Sequence, residues 1–550
     1  MSNCPFKENT TNFIKINKNI LNYKKNISIL FFIISYLLLT CIAIYFLKIS
    51  NLSLLIFSLL NAFFSFYISF LIYEKSIQNI FSPIALNNKK EIPKYGFFKL
   101  LYDIIIRKST LLRDMDIERM KKFGDIYLMF MGYRPAIVIT SSDLAKKVSK
   151  EIDIYAKSNP IDLNMPYFYK WVGNNNIVLS NGSNWKRLRE IIHKQLTATN
   201  VYFPTMCRKS LELTEQIKKT IQYGVKSKIF LNRWLKAFSL DVAGETLFGF
   251  NFNHLKEISN AAIEAMDYII SEIFNPLRVA FPLVNRLPTK TNKKLDKSIQ
   301  YIDNLVKIMR DKYSHNKPID ADENLLKKLI NGNREEKLTE DELRNNIITL
   351  VLSSYETTQV SLGGALYHLA KYSEYQKLIR DESIKLFPDI DQEMKEADGS
   401  SYEKFQKFEL LENFILESLR IYSPLANQNA RTITQNTQLG GFYIRSDISL
   451  IINIHAIHMN DDSWNEPSRF NPHRFCKNNR HDKFSFLPFG AGPRLCSGRN
   501  FTILEQKIAI CCLLRKFEIS LPSNFYNVPI KRTSFTGIPE NSFTLLFEPL

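Results

Sequence analysis

Near the C-terminal end of the 550-residue chain stands FLPFGAGPRLCSGRNF, residues 486–501. Phe489, Gly492, Arg494, Cys496 and Gly498 form the pattern F-x-x-G-x-R-x-C-x-G, followed by an apolar run of helical period. A cysteine so placed lies near a helix N-terminus, where the dipole and unbonded N–H groups favour a thiolate. Gly492 lets the loop turn tightly, and Gly498 lets backbone come close to a flat ligand. Phe489 can shield the sulfur, and Arg494 can meet an anionic group. The same residues also read as an inert buried cysteine in a glycine loop.

Three further constellations carry chemistry or hold it in place. Glu417 and Arg420 stand three apart in ILESLR, on one helix face among apolar neighbours. Alone they read as a surface ion pair; if buried, they need more partners to offset desolvation. The rigid, proline-rich PSRFNPHRF (467–475) can deliver Arg474 as that partner, in a network that fixes loop geometry and performs no chemistry. In LSSYETT (352–358), Glu356 and Thr357 pair an acid with an alcohol, the parts of a proton relay. Without context, such a turn is ordinary solvated or core helix. Thiolate, glycine clearance and an arginine for a carboxylate together describe a haem seat.

These residues need elements to position them. From about residue 116 helical periodicity dominates, at 183–196, 259–274, 341–372 and 410–422, with strand-like runs near 125–140 and at 448–456. The fold class is mainly α with a minor, mostly antiparallel sheet. No GxGxxG occurs, so the chain should bind no nicotinamide or flavin of its own. Seven irregularly spaced cysteines without a CxxC pair exclude a disulfide framework and a structural zinc site, and point to a reducing compartment. The formal charge of +19 favours acidic partners or anionic lipid. No basic cluster accompanies a nucleic-acid-binding motif, so no nucleic acid is expected.

The first hundred residues differ. Ile27–Leu47 and Leu52–Tyr73 are uncharged and apolar, each about the length that crosses a hydrocarbon core. Lysines crowd the side before the first run, so both chain ends are expected in the cytosol. The organisation expected is a basic cytosolic N-terminus (1–26), two transmembrane helices (27–73), a linker and approach segment (74–115) and a catalytic domain (116–550).

The cysteine loop, the ExxR pair, NPHRF and the ETT turn resemble the cytochrome P450 family of haem-thiolate monooxygenases, from about residue 116 to the end. The resemblance implies the cytochrome P450 fold, with Cys496 as axial ligand to the iron of haem b (iron protoporphyrin IX). Phe489, Gly492, Arg494 and Gly498 would surround it. Trp185 and Arg189 in WKRLR match the family's W-x-x-x-R helix, which reaches a haem propionate, and Arg431 resembles another propionate contact. Glu417, Arg420 and Arg474 would be structural, and Glu356 and Thr357 the catalytic acid–alcohol pair. Ser353 and Ser354 depart from the usual alanine and glycine; a serine hydroxyl can bond back to the preceding turn.

The activity implied is a membrane-anchored, eukaryotic monooxygenase of the endoplasmic reticulum, its catalytic domain facing the cytosol. It would insert one atom of O2 into a small apolar substrate, with NADPH electrons arriving through a flavoprotein reductase. Lys186, Arg187, Lys194 and Arg499 read as docking residues or as a solvated basic face, and Tyr167, Phe168 and Phe535 as pocket or core aromatics. Two segments, 174–185 and 273–288, are similar to fungal members that cross-link tyrosine derivatives. The alternatives are a haem-thiolate enzyme without external electrons (peroxide rearrangement, or phenol or tyrosine coupling) and a non-catalytic membrane haem binder.

Overall fold

The computed structural model describes residues 91–550 except 106–111, 132–133, 222–224, 258–260, 276–277, 279–281, 315–323, 332–337, 480, 524–529, 532–537 and 540–542. Ahead of them it describes only residues 60–61, 64–65, 67–72, 75 and 82–83. The basic N-terminus and the apolar run 27–47 therefore lie outside the described residues, and the run 52–73 is described only in part. Among the described residues no helix is long and apolar enough to cross a membrane.

The chain divides into two units, residues 1–96 with 435–446 and residues 97–434 with 447–550. In the smaller, Ser82–Pro83, Thr437–Leu439 and Phe442–Ile444 pair as an antiparallel sheet. The larger unit is mainly helical. The helices that position its site are α1 (Ser142–Lys150), α2 (Gly182–Thr197), α3 (Thr199–Thr220) and α4 (Leu231–Phe248). After them come α5 (Ala261–Ile273), α6 (Glu340–Lys371), α7 (Glu409–Ile421), α8 (Ile454–His458) and α9 (Arg499–Leu514).

Helix α6 starts at a capping box. The Thr339 hydroxyl accepts from the Glu342 N–H at 3.2 Å, and the Glu342 carboxylate accepts from the Thr339 N–H at 3.0 Å. Three acids in its first turn and His368 and Lys371 in its last complement the dipole. Buried along most of its length, α6 crosses the core and packs against α4 and α7. Helix α9 is buried almost all round and packs against α3. Such helices belong inside a large protein.

Five strands form the sheet beside the site: β1 (Ile126–Met131), β2 (Arg134–Ile139), β3 (Tyr155–Lys157), β4 (Arg431–Ile433) and β5 (Ser449–Ile452). Their order is β1-β2-β5-β4-β3, antiparallel except for the β2–β5 pair. The sequence run 448–456, expected as one strand, breaks at Asn453. Its side chain accepts from the Ala456 N–H at 2.8 Å and caps α8. Residues 227–230, 517–520 and 544–549 form another antiparallel sheet.

Candidate active site

The cysteine loop is fixed from several sides. Gly492–Arg494 makes a single 3-10 turn, and the Cys496 N–H donates to the Phe489 carbonyl at 2.8 Å. Gly492 has φ +67°, and a Cβ there would lie 2.5 Å from the Ser149 carbonyl of α1. Backbone conformation and clearance thus both demand glycine. Gly498 has an ordinary φ of −88°, and a Cβ there would come 4.0 Å from the Cys496 sulfur. Neither its φ nor its contacts within the protein require glycine there. Phe489, Cys496 and Gly498 all line a cavity of about 310 Å³.

The Cys496 sulfur opens into this cavity and yet lies deep in the protein. That depth pushes its thiol up, against the opposing effects of the Gly498 N–H and the Arg189 guanidinium. Helix-end stabilisation, expected from the sequence to hold a thiolate, is therefore outweighed by desolvation. The helix proper begins only at Arg499, three residues beyond the sulfur.

Four cationic side chains, Lys157, Arg189, Arg431 and Arg494, are among the described residues that line the same cavity, and none of those described residues is a carboxylate. Lys157 ends β3 and stands in register opposite Arg431 on β4. Like charges directly opposed across strands destabilise a sheet. Arg431 is 2 % exposed and donates through Nη1 to the Tyr155 carbonyl at 3.0 Å, while its buried Nε has no hydrogen-bond partner among the described residues. Arg494 lies 4.0 Å over the Trp185 ring, and its Nη2 donates to the Ser180 carbonyl at 2.7 Å; its Nε and Nη1 are buried without hydrogen bonds. Burial lowers Arg431 to about 10; burial, then Arg431 and Arg189, lower Arg494 to about 9. Burial, followed by its arginine neighbours, drives Lys157 well down.

Such a cluster suits a ligand bearing more than one carboxylate. Among the described residues no group of three or more His, Cys, Asp or Glu gathers to hold a bare metal ion. One cysteine with a cation cluster therefore fits a metal whose other ligands come from an anionic macrocycle. Arg189 turns instead to the loop, donating to the Leu495 carbonyl at 2.6 Å and to the Ser497 hydroxyl at 2.8 Å. Lys157 and Ser497 were not singled out from the sequence. YAKSNP has no motif, and only strand register brings Lys157 to Arg431.

Behind the loop, Glu417 and Arg420 of α7 are both fully buried. Arg420 donates from Nε and Nη2 to the two carboxylate oxygens, each at 2.8 Å, and from Nη1 to the His458 carbonyl at 2.8 Å. The 3-10 turn Pro472–Phe475 brings Arg474 Nε to 3.3 Å from Glu417 Oε1, which also accepts from the Asn471 N–H at 2.8 Å. The carboxylate is bracketed by two arginines and an amide, the geometry a buried ion pair requires.

Across the cavity, Thr349, Ser353, Thr357 and Ser361 recur every fourth residue on one face of α6, and all four line the cavity. The Thr357 hydroxyl donates to the Ser353 carbonyl at 2.5 Å, and that of Ser354 to the Leu350 carbonyl at 2.6 Å. Glu356 is buried and is not among the cavity-lining residues. Its neighbour Tyr355 donates to Asp267 of α5 at 2.5 Å, beside Lys236 of α4 at 2.6 Å. Adjacent helical residues project about 100° apart, so acid and alcohol meet different surroundings. Phe168 lines the cavity, Tyr167 packs against the core, and Phe535 lies outside the described residues.

A family model described as Cytochrome P450 matches residues 102–547, most of the chain. The chain belongs to the cytochrome P450 family. Similar relatives include cytochrome P450 3A18 of Rattus norvegicus, 26% identical over 479 residues, which cover 84% of this chain and 92% of the rat protein. Cytochrome P450 3A31 of Mesocricetus auratus is 26% identical over 431 residues, 76% and 83% of the two chains. Cytochrome P450 3A13 of Mus musculus is 25% identical over 491 residues, 86% and 93%. As a P450, the protein is a monooxygenase oxidoreductase using haem b, dioxygen and NADPH-derived electrons delivered through a reductase.

Proposed function

We propose that Cys496 is the axial ligand of the haem iron and that Lys157, Arg431 and Arg494 hold the propionates in a membrane-anchored monooxygenase of small apolar substrates. The observation that carries this is the open sulfur on the floor of a cavity with buried, unpartnered guanidinium N–H groups and, among the described residues, no carboxylate in its lining. When bound, the haem supplies the reductive activation of dioxygen. Trp185 stacks under Arg494 and keeps it aimed, while Arg189 braces the loop through Leu495 and Ser497. Phe489 shields the sulfur. The apolar wall, including Phe168, Val172 and Leu425, excludes water and holds hydrocarbon. Thr357 orders water at the oxygen side, and Glu356 acts as its acid from behind the cavity wall.

The two apolar runs at 27–73 are proposed to anchor residues 116–550 on the cytosolic face of the endoplasmic reticulum. There the basic surface meets an acidic flavoprotein reductase. Arg187 is paired with Glu342, so Lys186, Lys194 and Arg499 are the better docking residues. The test is the carbon-monoxide difference spectrum of reduced wild type and Cys496→Ala. Wild type should show the strongly red-shifted Soret band of thiolate ligation, and the variant none. A variant with unchanged axial coordination and turnover overturns the assignment of Cys496, and activity with peroxide substrate alone overturns the monooxygenase reading.

A further inference from the structure

His458, the last residue of α8, takes no part in the cavity. It is fully buried, and both ring nitrogens are engaged. Nδ1 lies 2.9 Å from the carbonyl oxygen of Arg420, and Nε2 lies 2.8 Å from the backbone nitrogen of Leu487. Because an amide can only donate, Nε2 must be the bare acceptor. The single proton then sits on Nδ1 and is donated to Arg420. This hydrogen-bond network assigns one neutral tautomer. Phe486 stacks on the ring at 5.7 Å and 19°.

The bonds around this imidazole run in series. Arg420 is locked to Glu417 and reaches back to the His458 carbonyl, so α7 and α8 clasp each other in both directions. From His458 the path enters the loop at Leu487, whose carbonyl accepts from the Gly490 N–H at 2.9 Å. Two residues beyond Leu487, the Phe489 carbonyl receives the Cys496 N–H. The far half of the loop has separate moorings, through Arg189 and Arg494 to α2 and the residues before it. Its entry is moored by His458.

We propose that His458 is a positioning residue that transmits the rigidity of the Glu417–Arg420 network to the entry of the cysteine loop and so fixes the Cys496 sulfur. A neutral imidazole offers a donor and an acceptor on a flat, rigid ring. An asparagine reproduces only the near arm, keeping a donor for Arg420. The longer glutamine carries its Oε1 to the place of Nε2 and keeps the acceptor for Leu487.

The experiment compares full-length holoprotein of wild type, His458→Asn and His458→Gln by thermal unfolding and by the reduced carbon-monoxide spectrum followed in mild denaturant. The asparagine variant should unfold close to wild type and yet lose the red-shifted, thiolate-ligated form about fivefold faster, the factor for one backbone hydrogen bond. The glutamine variant should restore most of the lifetime. An asparagine variant with the wild-type lifetime overturns the proposal. So do variants that lose fold and pigment together, glutamine included, because the role would then not be confined to the loop. The proposal rests on Cys496 holding the iron, which the wild-type spectrum tests separately. A wild type without the red-shifted band refutes that assignment, whereas a normal wild type with a normal asparagine variant refutes the role of His458 alone.

Discussion

The two walls of the cavity are built on opposite principles. On the cysteine side, polar groups bond across elements: Arg420 to Glu417 and His458, Arg474 to Glu417, Arg189 to the loop, Leu487 to His458. Each of these bonds fixes one piece of chain against another. On the α6 side, the Ser354 and Thr357 hydroxyls bond back to their own helix and tie nothing to anything else. The wall that carries Cys496 is cross-braced. The cavity-facing hydroxyls of α6 keep their bonds local, while its side chains turned elsewhere, such as Tyr355 and Gln359, reach α5 and α4.

Substitutions should expose that asymmetry. The largest effect is expected from Glu417→Ala, which leaves Arg420 and Arg474 facing each other without their carboxylate; breaking a buried pair costs about 3–5 kcal/mol. Urea unfolding of purified protein checks it, and a loss below about 1 kcal/mol would mean the cross-bracing is ornamental.

A pH series sharpens the same side. Burial, then Arg420, holds His458 down at about 3 against an ordinary 6.5. Between those values the unfolded chain binds a proton that the folded one refuses. Stability should therefore fall as pH drops below about 6.5, by at most about 1.4 kcal/mol per unit from this group. In His458→Gln that part of the slope should vanish, and an unchanged slope would assign the loss to other groups.

Arg431→Leu moves the comparison to the rim. It should leave unfolding of the helical core nearly unaltered while speeding haem transfer to an acceptor apoprotein about tenfold, as expected for one lost charge-assisted contact. Equal transfer rates would show that the strand pair Lys157 and Arg431 is not where the propionates lie.

The smallest effect is expected on the open wall. Ser354→Gly removes a hydroxyl that only touches its own turn and should change stability by about 0.5 kcal/mol, the difference in helix propensity. A shift several times larger in the same urea titration would give that serine a bracing role the geometry lacks.

Much of the site was legible in the sequence because its local parts are set by short-range rules. The glycine at 492, the cysteine before a helix, the i, i+3 spacing of Glu417 and Arg420, and the serines that can bond back four residues follow from backbone geometry a few residues wide. Helix positions followed equally well, since periodicity reports burial of one face; α6 and α7 begin and end within a residue of the periodic runs. Where the reading ran on too far, at 448–456, a single asparagine cap at 453 ended the strand.

The sequence alone determined which side chains were available and on which local element each would sit. Only the tertiary structure decided which of them meet. Register across β3 and β4 set Lys157 opposite Arg431, 274 positions away along the chain. The turn of α6 separated Glu356 from the cavity that Thr357 faces, and the packing of α8 behind the loop put His458 between Arg420 and Leu487. The physical reason is one of range. Dihedral preferences and side-chain periodicity act over a few residues, whereas burial, charge clustering and cross-element hydrogen bonds depend on contacts between segments hundreds of residues apart, which exist only once the core has closed.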